Sequence, residues 1–158
     1  LNQQKVFRNS LGSFATGVTI VTCIDSDGEP QGVTANSFAS VSLEPQLVLW
    51  NIGKSSSTLE HFRSAQQFAI NILSADQEAL STRFAQSGEG LFENLAYATA
   101  SNGAPVFEGA LTQFVCQQHD VHEAGDHYII VGEVLEFVSR EGAPLVFYRG
   151  GYASLAGK

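Results

Sequence analysis

The sequence predicts a mainly β chain, an antiparallel barrel or sandwich with a few helices outside it. Stretches rich in β-branched and aromatic residues outnumber stretches with helical spacing. Two pairs of these stretches are joined by tight-turn sequences, Asp25-Ser26-Asp27-Gly28 and Glu123-Ala124-Gly125-Asp126. Parallel strands need a crossover at most joins, and the chain has too few helical segments to supply them.

The elements follow in order. Val6, Phe7, Leu11 and Phe14 recur at helical intervals between Asn2 and Phe14, which predicts one short amphipathic helix. Gly17 to Ile24 is a β-branched strand, closed by the first turn, and Gln31 to Ala35 is its return. A Ser-rich passage runs from Asn36 to Ser42, and Pro45 opens a third strand, Gln46 to Ile52. After the polar loop Gly53 to Ser57, a short helix is expected from Thr58 to Ser64, then a strand from Gln67 to Leu73. Ser74-Ala75-Asp76-Gln77 favours an N-cap for a helix from Asp76 to Phe84. Ala85 to Pro105, with Gly88, Gly90 and Gly103, reads as loop. Ala110 to Val121 and His127 to Val138 are the arms of the second hairpin, and Pro144 to Tyr148 is a last strand. No repeat, linker or shift in composition divides the chain, so one domain is expected over 1–158.

With 44% hydrophobic and 15% charged residues among 158, the chain has the composition of a globular domain with a buried core. A formal charge of -8 argues against a nucleic-acid groove, which needs a stripe of Lys and Arg. Anions can still be held locally by backbone N–H groups and hydroxyls. Cys23 and Cys116 lie within β-like runs and are expected as buried free thiols. The sequence has no glycosylation sequon, signal peptide or apolar run of spanning length, so a cytoplasmic protein without a membrane is expected. It starts at Leu1, from which a short missing N-terminal piece is expected.

The densest chemistry is His119-Asp120-Val121-His122-Glu123-Ala124-Gly125-Asp126-His127. It offers a metal cage, an acid/base site or a polar hairpin tip. His122-Glu123 begins like the zincin motif, but Asp126 stands at the fifth place, and that motif works only on a helix. On extended arms, His119 and Val121 face one way while Asp120 and His122 face the other. A hairpin tip is favoured and no metal is expected. Gly53-Lys54-Ser55 imitates the end of a phosphate-binding loop, but position 48 is Val where the first Gly belongs. Two hydroxyl-rich stretches at successive strand ends are more telling: Thr34 to Ser42 and Ser55 to Thr58. They offer N–H groups and hydroxyls to a phosphate, with Lys54 or Arg83 available to add charge.

Four segments together resemble the flavin reductase-like family, the short-chain reductase components of two-component flavin-dependent monooxygenases. They are Phe14-Ala-Thr-Gly17-Val-Thr-Ile-Val-Thr22; Gly32-Val-Thr-Ala-Asn-Ser37-Phe-Ala-Ser40-Val-Ser42 with Pro45; Gly125-Asp126-His127 leading to Val131-Gly132-Glu-Val134; and Pro144-Leu-Val-Phe-Tyr148-Arg-Gly-Gly-Tyr152. They occur in the family's order and span nearly the whole chain.

The resemblance implies an FMN-binding split barrel, a Greek-key antiparallel barrel that dimerises with flavin near the subunit interface. It implies flavin contacts at Thr34, Ala35, Asn36, Ser37, Ser40, Val41 and Ser42, with Asn51 at the end of the next strand. Ser57 and Thr58 match a region that helps hold the phosphate, and Phe84 and Ala85 match an element beside the flavin. The family usually continues that element with a Lys before a Phe. Here Gln86-Ser87-Gly88-Glu89-Gly90 brings acid instead, so FMN and FAD both stay open. Gly125-Asp126-His127 matches the nicotinamide contact, with His127 facing the reduced pyridine ring and Gly125 and Asp126 shaping the turn that presents it. Tyr148 and Tyr152 match aromatic positions near the flavin.

The implied activity is hydride transfer from NADH or NADPH to FMN or FAD, and it needs alignment more than acid/base help. That agrees with a sequence lacking an evident catalytic dyad. Reduced flavin would leave for a separate monooxygenase, by diffusion. The alternative on the same barrel is a flavin-binding carrier or sensor without turnover. A metal-dependent hydrolase built on the histidines is the reading from another class.

Overall fold

A computed structural model of the chain describes residues 2–157. Helix α1 (Gln3–Leu11) is capped by Asn2, whose side chain accepts the Gln4 N–H at 3.0 Å. Strand β1 (Thr16–Gly17) leads to β2 (Thr19–Ile24) and β3 (Pro30–Ala35), joined by the first expected turn. There Asp25 Oδ1 accepts the N–H groups of Asp27 and Glu29, each at 2.9 Å. Strands β4 (Ala39–Leu43) and β5 (Gln46–Gly53) form a second hairpin, followed by α2 (Leu59–Ser64) and β6 (Gln67–Ile72). A capping box at Ser74 starts a 3-10 turn over Ala75–Gln77 that runs into α3 (Glu78–Phe84). Two short strands, β7 (Ala98–Thr99) and β8 (Pro105–Val106), precede the long hairpin β9 (Thr112–Ala124) and β10 (His127–Ser139). Strands β11 (Val146–Tyr148) and β12 (Gly151–Ala153) end the chain.

Every strand pairing is antiparallel, in the order β3-β2-β6-β9-β10-β5-β4, with smaller sheets β1-β11-β12 and β7-β8. The seven-stranded sheet curls until its ends approach. Ser37, just past β3 at one edge, bonds the backbone of Asn51 on β5 near the other: its Oγ accepts the Asn51 N–H at 2.8 Å and donates to the Asn51 carbonyl at 3.2 Å. This is the expected antiparallel barrel, left open along one seam.

Period-two patterning fills it. Val48, Trp50 and Ile52 of β5 are buried, and Leu47, Leu49 and Asn51 between them less so. Trp50 packs edge-on against Phe62 of α2 at 5.0 Å between ring centroids and against Phe68 of β6 at 6.3 Å. Gly132 of β10 admits Phe68, since a Cβ there would lie 2.5 Å from its Cζ. A second apolar cluster, Val18, Ile20, Leu73, Phe84, Phe107 and Leu145, lies under α3.

Departures from the expected elements are local. β4 falls within the Ser-rich passage, whose hydroxyls hide a strand that pairing with β5 creates. β12 lies beyond the expected strands, and the β9–β10 hairpin runs longer than expected, with Gly125 and Asp126 as the two residues of its turn. Gly125 has φ +61°, the positive value that a two-residue turn can demand of its first central residue.

Candidate functional site

A cleft of about 290 Å³ opens where three strand ends meet. The end of β3 and the residues after it supply Val33, Thr34, Ala35, Asn36 and Ser37. The end of β5 supplies Trp50, Asn51, Ile52 and Gly53, with Ser56 beyond, and the start of β10 supplies His127. The register His127↔Gly53 brings the last two together, and the Ser37–Asn51 bonds bring in the first.

His127 Nδ1 lies 2.7 Å from Asp126 Oδ1, and this hydrogen bond holds the Asp126 carboxyl below the ordinary carboxylate range. His127 Nε2 is on the Gly53 side, 3.6 Å from where a Cβ on Gly53 would stand. The Lys54 N–H donates to the Asp126 carbonyl at 2.9 Å, stitching the loop after β5 to the hairpin turn. The Lys54 ammonium pairs with Glu123, which raises the lysine above its usual value and lowers Glu123 below its own. Two lining residues carry buried polar atoms without a partner, Asn51 Oδ1 and Trp50 Nε1. A buried acceptor and a buried donor of this kind cost stability unless something bonds them.

Of the residues expected at a site, Thr34, Ala35, Asn36, Ser37, Asn51 and His127 line this cleft. Asp126 and Gly125 stand behind His127 in the turn. Ser40, Val41 and Ser42 lie along β4, the sheet's edge strand, where Val41 is the extra residue of a bulge. Ser57 and Thr58 precede α2, with Thr58 Oγ1 3.0 Å from Ser56 Oγ. Phe84 is buried under α3 against Phe92 and Phe107, and Ala85 caps that helix. Tyr148 is exposed on β11 and accepts from Arg149 Nε at 2.9 Å. Tyr152 OH is 2.6 Å from Ser81 Oγ, and the Ser81 carbonyl accepts from Thr34 Oγ1 at 2.7 Å. That chain of bonds ties the C-terminal strands and α3 to the cleft wall.

The histidine segment is spread out. His119 is the extra residue of a bulge in β9, His122 pairs with Asp120 at 3.1 Å, and His127 pairs with Asp126. Among the described residues, no three or more His, Cys, Asp or Glu side chains are grouped so as to hold a metal ion. Val33, Trp50, Ile52 and Gly53 were not among the expected site residues, whereas Ser56 falls within the hydroxyl-rich stretch Ser55 to Thr58 expected to suit a phosphate. Gly53 had a signal, as a near neighbour of Asn51 at the same strand end.

Residues 11–156 match the pattern of the flavin reductase like domain. The chain belongs to the flavin reductase-like family. The FMN reductase (NADH) SmoA of Agrobacterium fabrum is 51% identical to this flavin reductase-like chain over 92% of it and 83% of that protein. The reductase component of a flavin-dependent trigonelline monooxygenase from Acinetobacter baylyi is 44% identical over 96% of this chain, which spans only 49% of that protein. The solved NADH:FAD oxidoreductase of Streptomyces globisporus, in complex with NAD and FAD fragments, superposes with a TM-score of 0.90 at 36% identity, over 98% of this chain and 94% of that one. The split barrel that the resemblance implied is the family's fold, and the all-antiparallel pairing of the sheets agrees with it.

Proposed function

We infer that the chain is an NAD(P)H:flavin oxidoreductase that takes a hydride from NADH or NADPH to FMN or FAD and supplies reduced flavin to a partner monooxygenase. The carrying observation is a cleft at the barrel seam, lined by the Thr34–Ser37 segment, Asn51 and His127, in a chain of this family. The named activities of its relatives are of this kind.

The residues present fit a flavin. The unpartnered Asn51 Oδ1 suits a ring edge that donates a hydrogen bond, while the Trp50 side chain, fully buried among Phe62 and Phe68, stands behind the lining. The chemistry that bound flavin supplies is acceptance of a hydride at N5 from nicotinamide C4. The protein's part is to bind and align. We assign flavin contacts to Thr34, Ala35, Asn36, Ser37 and Asn51, with the β4 residues Ser40, Val41 and Ser42 and the aromatic Tyr148 at its margins. Ser57 and Thr58 are assigned to the phosphate. Phe84, Ala85 and Tyr152 act by holding the wall through α3. His127 is the nicotinamide contact, with its Nδ1 held by Asp126 so that Nε2 stays on the cleft side. The lining has no Lys or Arg, so a flavin phosphate has only hydroxyls and N–H groups, which suits a flavin that is released after reduction.

One steady-state assay crossing FMN and FAD with NADH and NADPH tests the reading. Nucleotide oxidation well above the flavin-free rate is expected in at least one pairing, and its absence in all four defeats the proposal. His127→Ala is expected to raise the KM for the pyridine nucleotide more than that for flavin; equal effects remove the His127 assignment.

The same reading takes 1–158 as one working domain, a homodimer, in the cytoplasm. Supporting it, no described helix is long and apolar enough to cross a membrane. Phe7, Leu11 and Phe14 near α1 and Leu135, Phe137 and Val138 on β10 leave apolar surface for a second copy to cover.

A further inference from the structure

A cleft of about 290 Å³ holds a ring system rather than a dinucleotide, so on the reductase reading part of the nucleotide lies across a rim. The rim beside His127 is the β9–β10 turn and the loop after β5, joined by the Lys54 N–H to Asp126 carbonyl bond. With its backbone held there, the Lys54 side chain runs along the hairpin. Its ammonium pairs with Glu123 and stands 5.5 Å from the centroid of the Tyr128 ring. Arg63, 4.5 Å from the same centroid, is bonded to Glu60 at 3.1 Å. Asp126 is 96% exposed and bonded to His127, while Asp120 pairs with His122. Both cations of this region are thus matched by carboxylates, and Asp120 and Asp126, whose partners are histidines rather than Lys or Arg, leave the rim formally acidic.

NADH and NADPH differ by one phosphate, which carries about two negative charges near neutral pH. Such a group is recognised by Lys or Arg donors and repelled by carboxylates. Lys54 is the one cation in the 54–58 loop, and Glu123 occupies it. We propose that Glu123 is a specificity-determining residue: by holding Lys54 it denies the 2′-phosphate of NADPH its cation and sets a preference for NADH. The raised Lys54 and lowered Glu123 are what a matched pair of this kind produces.

The test is steady-state oxidation of NADH and NADPH at saturating FMN, in wild type, Glu123→Gln and Glu123→Gln/Lys54→Met. Glu123 is an exposed strand residue, so the isosteric change is compatible with folding. Glu123→Gln is expected to move kcat/KM toward NADPH relative to NADH by roughly tenfold, the scale of one charge-assisted contact. The double variant, with both charges gone, is expected to return the ratio to the wild-type value. Salt reads the sign of the interaction: it lowers the KM for NADPH in wild type by screening repulsion and raises it in Glu123→Gln by screening attraction. An unchanged ratio in Glu123→Gln, a gain that survives Lys54→Met, or a salt response of one sign in both proteins overturns the assignment. Failure of the wild type with both nucleotides and both flavins counts instead against the reductase reading on which this inference rests.

Discussion

Asn51 sets binding against stability. Its Oδ1 is buried with no partner, a cost the fold carries without return unless a ligand bonds it. Asn51→Leu is therefore expected to weaken flavin binding, read as a raised flavin KM, while the melting temperature of the flavin-free protein holds or rises. A variant that loses stability and keeps its flavin KM would show that the oxygen serves the fold. Asp25 works the other way. Hydrogen bonds from the Glu29 N–H and Gln31, with His61 nearby, hold its carboxyl below the ordinary value. A lowered folded pKa stabilises above the unfolded value near about 4 and is lost as pH falls through the folded one. Wild type is expected to lose stability relative to Asp25→Asn as pH drops from roughly 5 to 3, and parallel pH curves would refute this. Cys23 and Cys116 are pushed up to about 12 by burial, with Asp25 adding to the shift at Cys23. At about pH 8 neither is expected to react with iodoacetamide until the protein is unfolded; native labelling measured by mass would contradict their burial. Both thiols were legible in the sequence because each lies in a β-branched run. The orphaned Asn51 oxygen was not, since satisfaction of a polar atom depends on what long-range pairing sets beside it.

The β9–β10 hairpin shows what an element can announce in advance. Its arms and turn were readable because β-branched alternation stops at Gly125-Asp126 and resumes at His127. Its bulges were not readable: His119 and Leu135 are extra residues only relative to the partner strand. Gly132, also in β10, marks where another element crosses. Gly132→Ala would set a Cβ 2.5 Å from Phe68 Cζ and 3.2 Å from Cys116 Cβ. It is expected to destabilise by about 1–3 kcal/mol in urea unfolding; a neutral result would mean that Phe68 moves aside freely. The β11–β12 turn puts Arg149 and Gly150 at φ +49° and +78°, and only the glycine is suited to it. Arg149→Gly is therefore expected to be no less stable than wild type in the same assay, despite losing the bond to Tyr148 OH. β4 illustrates the converse. A run such as Ala39-Ser40-Val41-Ser42 carries little strand preference of its own, and only its neighbour β5 makes it one.

At the scale of the molecule, apolar surface remains after the barrel is packed. Phe14 is 81% exposed, Leu43 89% and Val138 68%, which is far from what an isolated chain gains by burying. If a second copy covers the β10 face, Phe137→Glu should shift the sedimentation coefficient from dimer to monomer, whereas Glu141→Gln outside that strand should not. A wild type that sediments as a monomer would remove the homodimer from the proposed function. Composition, strand periodicity and turn residues determined by themselves that this chain is an antiparallel β protein, and the four family segments determined its kind. These signals survive in one dimension because they repeat every two residues or sit in contiguous turns. Tertiary structure alone decided that Ser37, Asn51, Gly53 and His127 share one cleft, that Lys54 is bound to Glu123, and that Phe84 is wall rather than lining. Each of those facts rests on pairing between strands far apart in the chain, where register and charge partners are fixed only once the sheet has closed on itself.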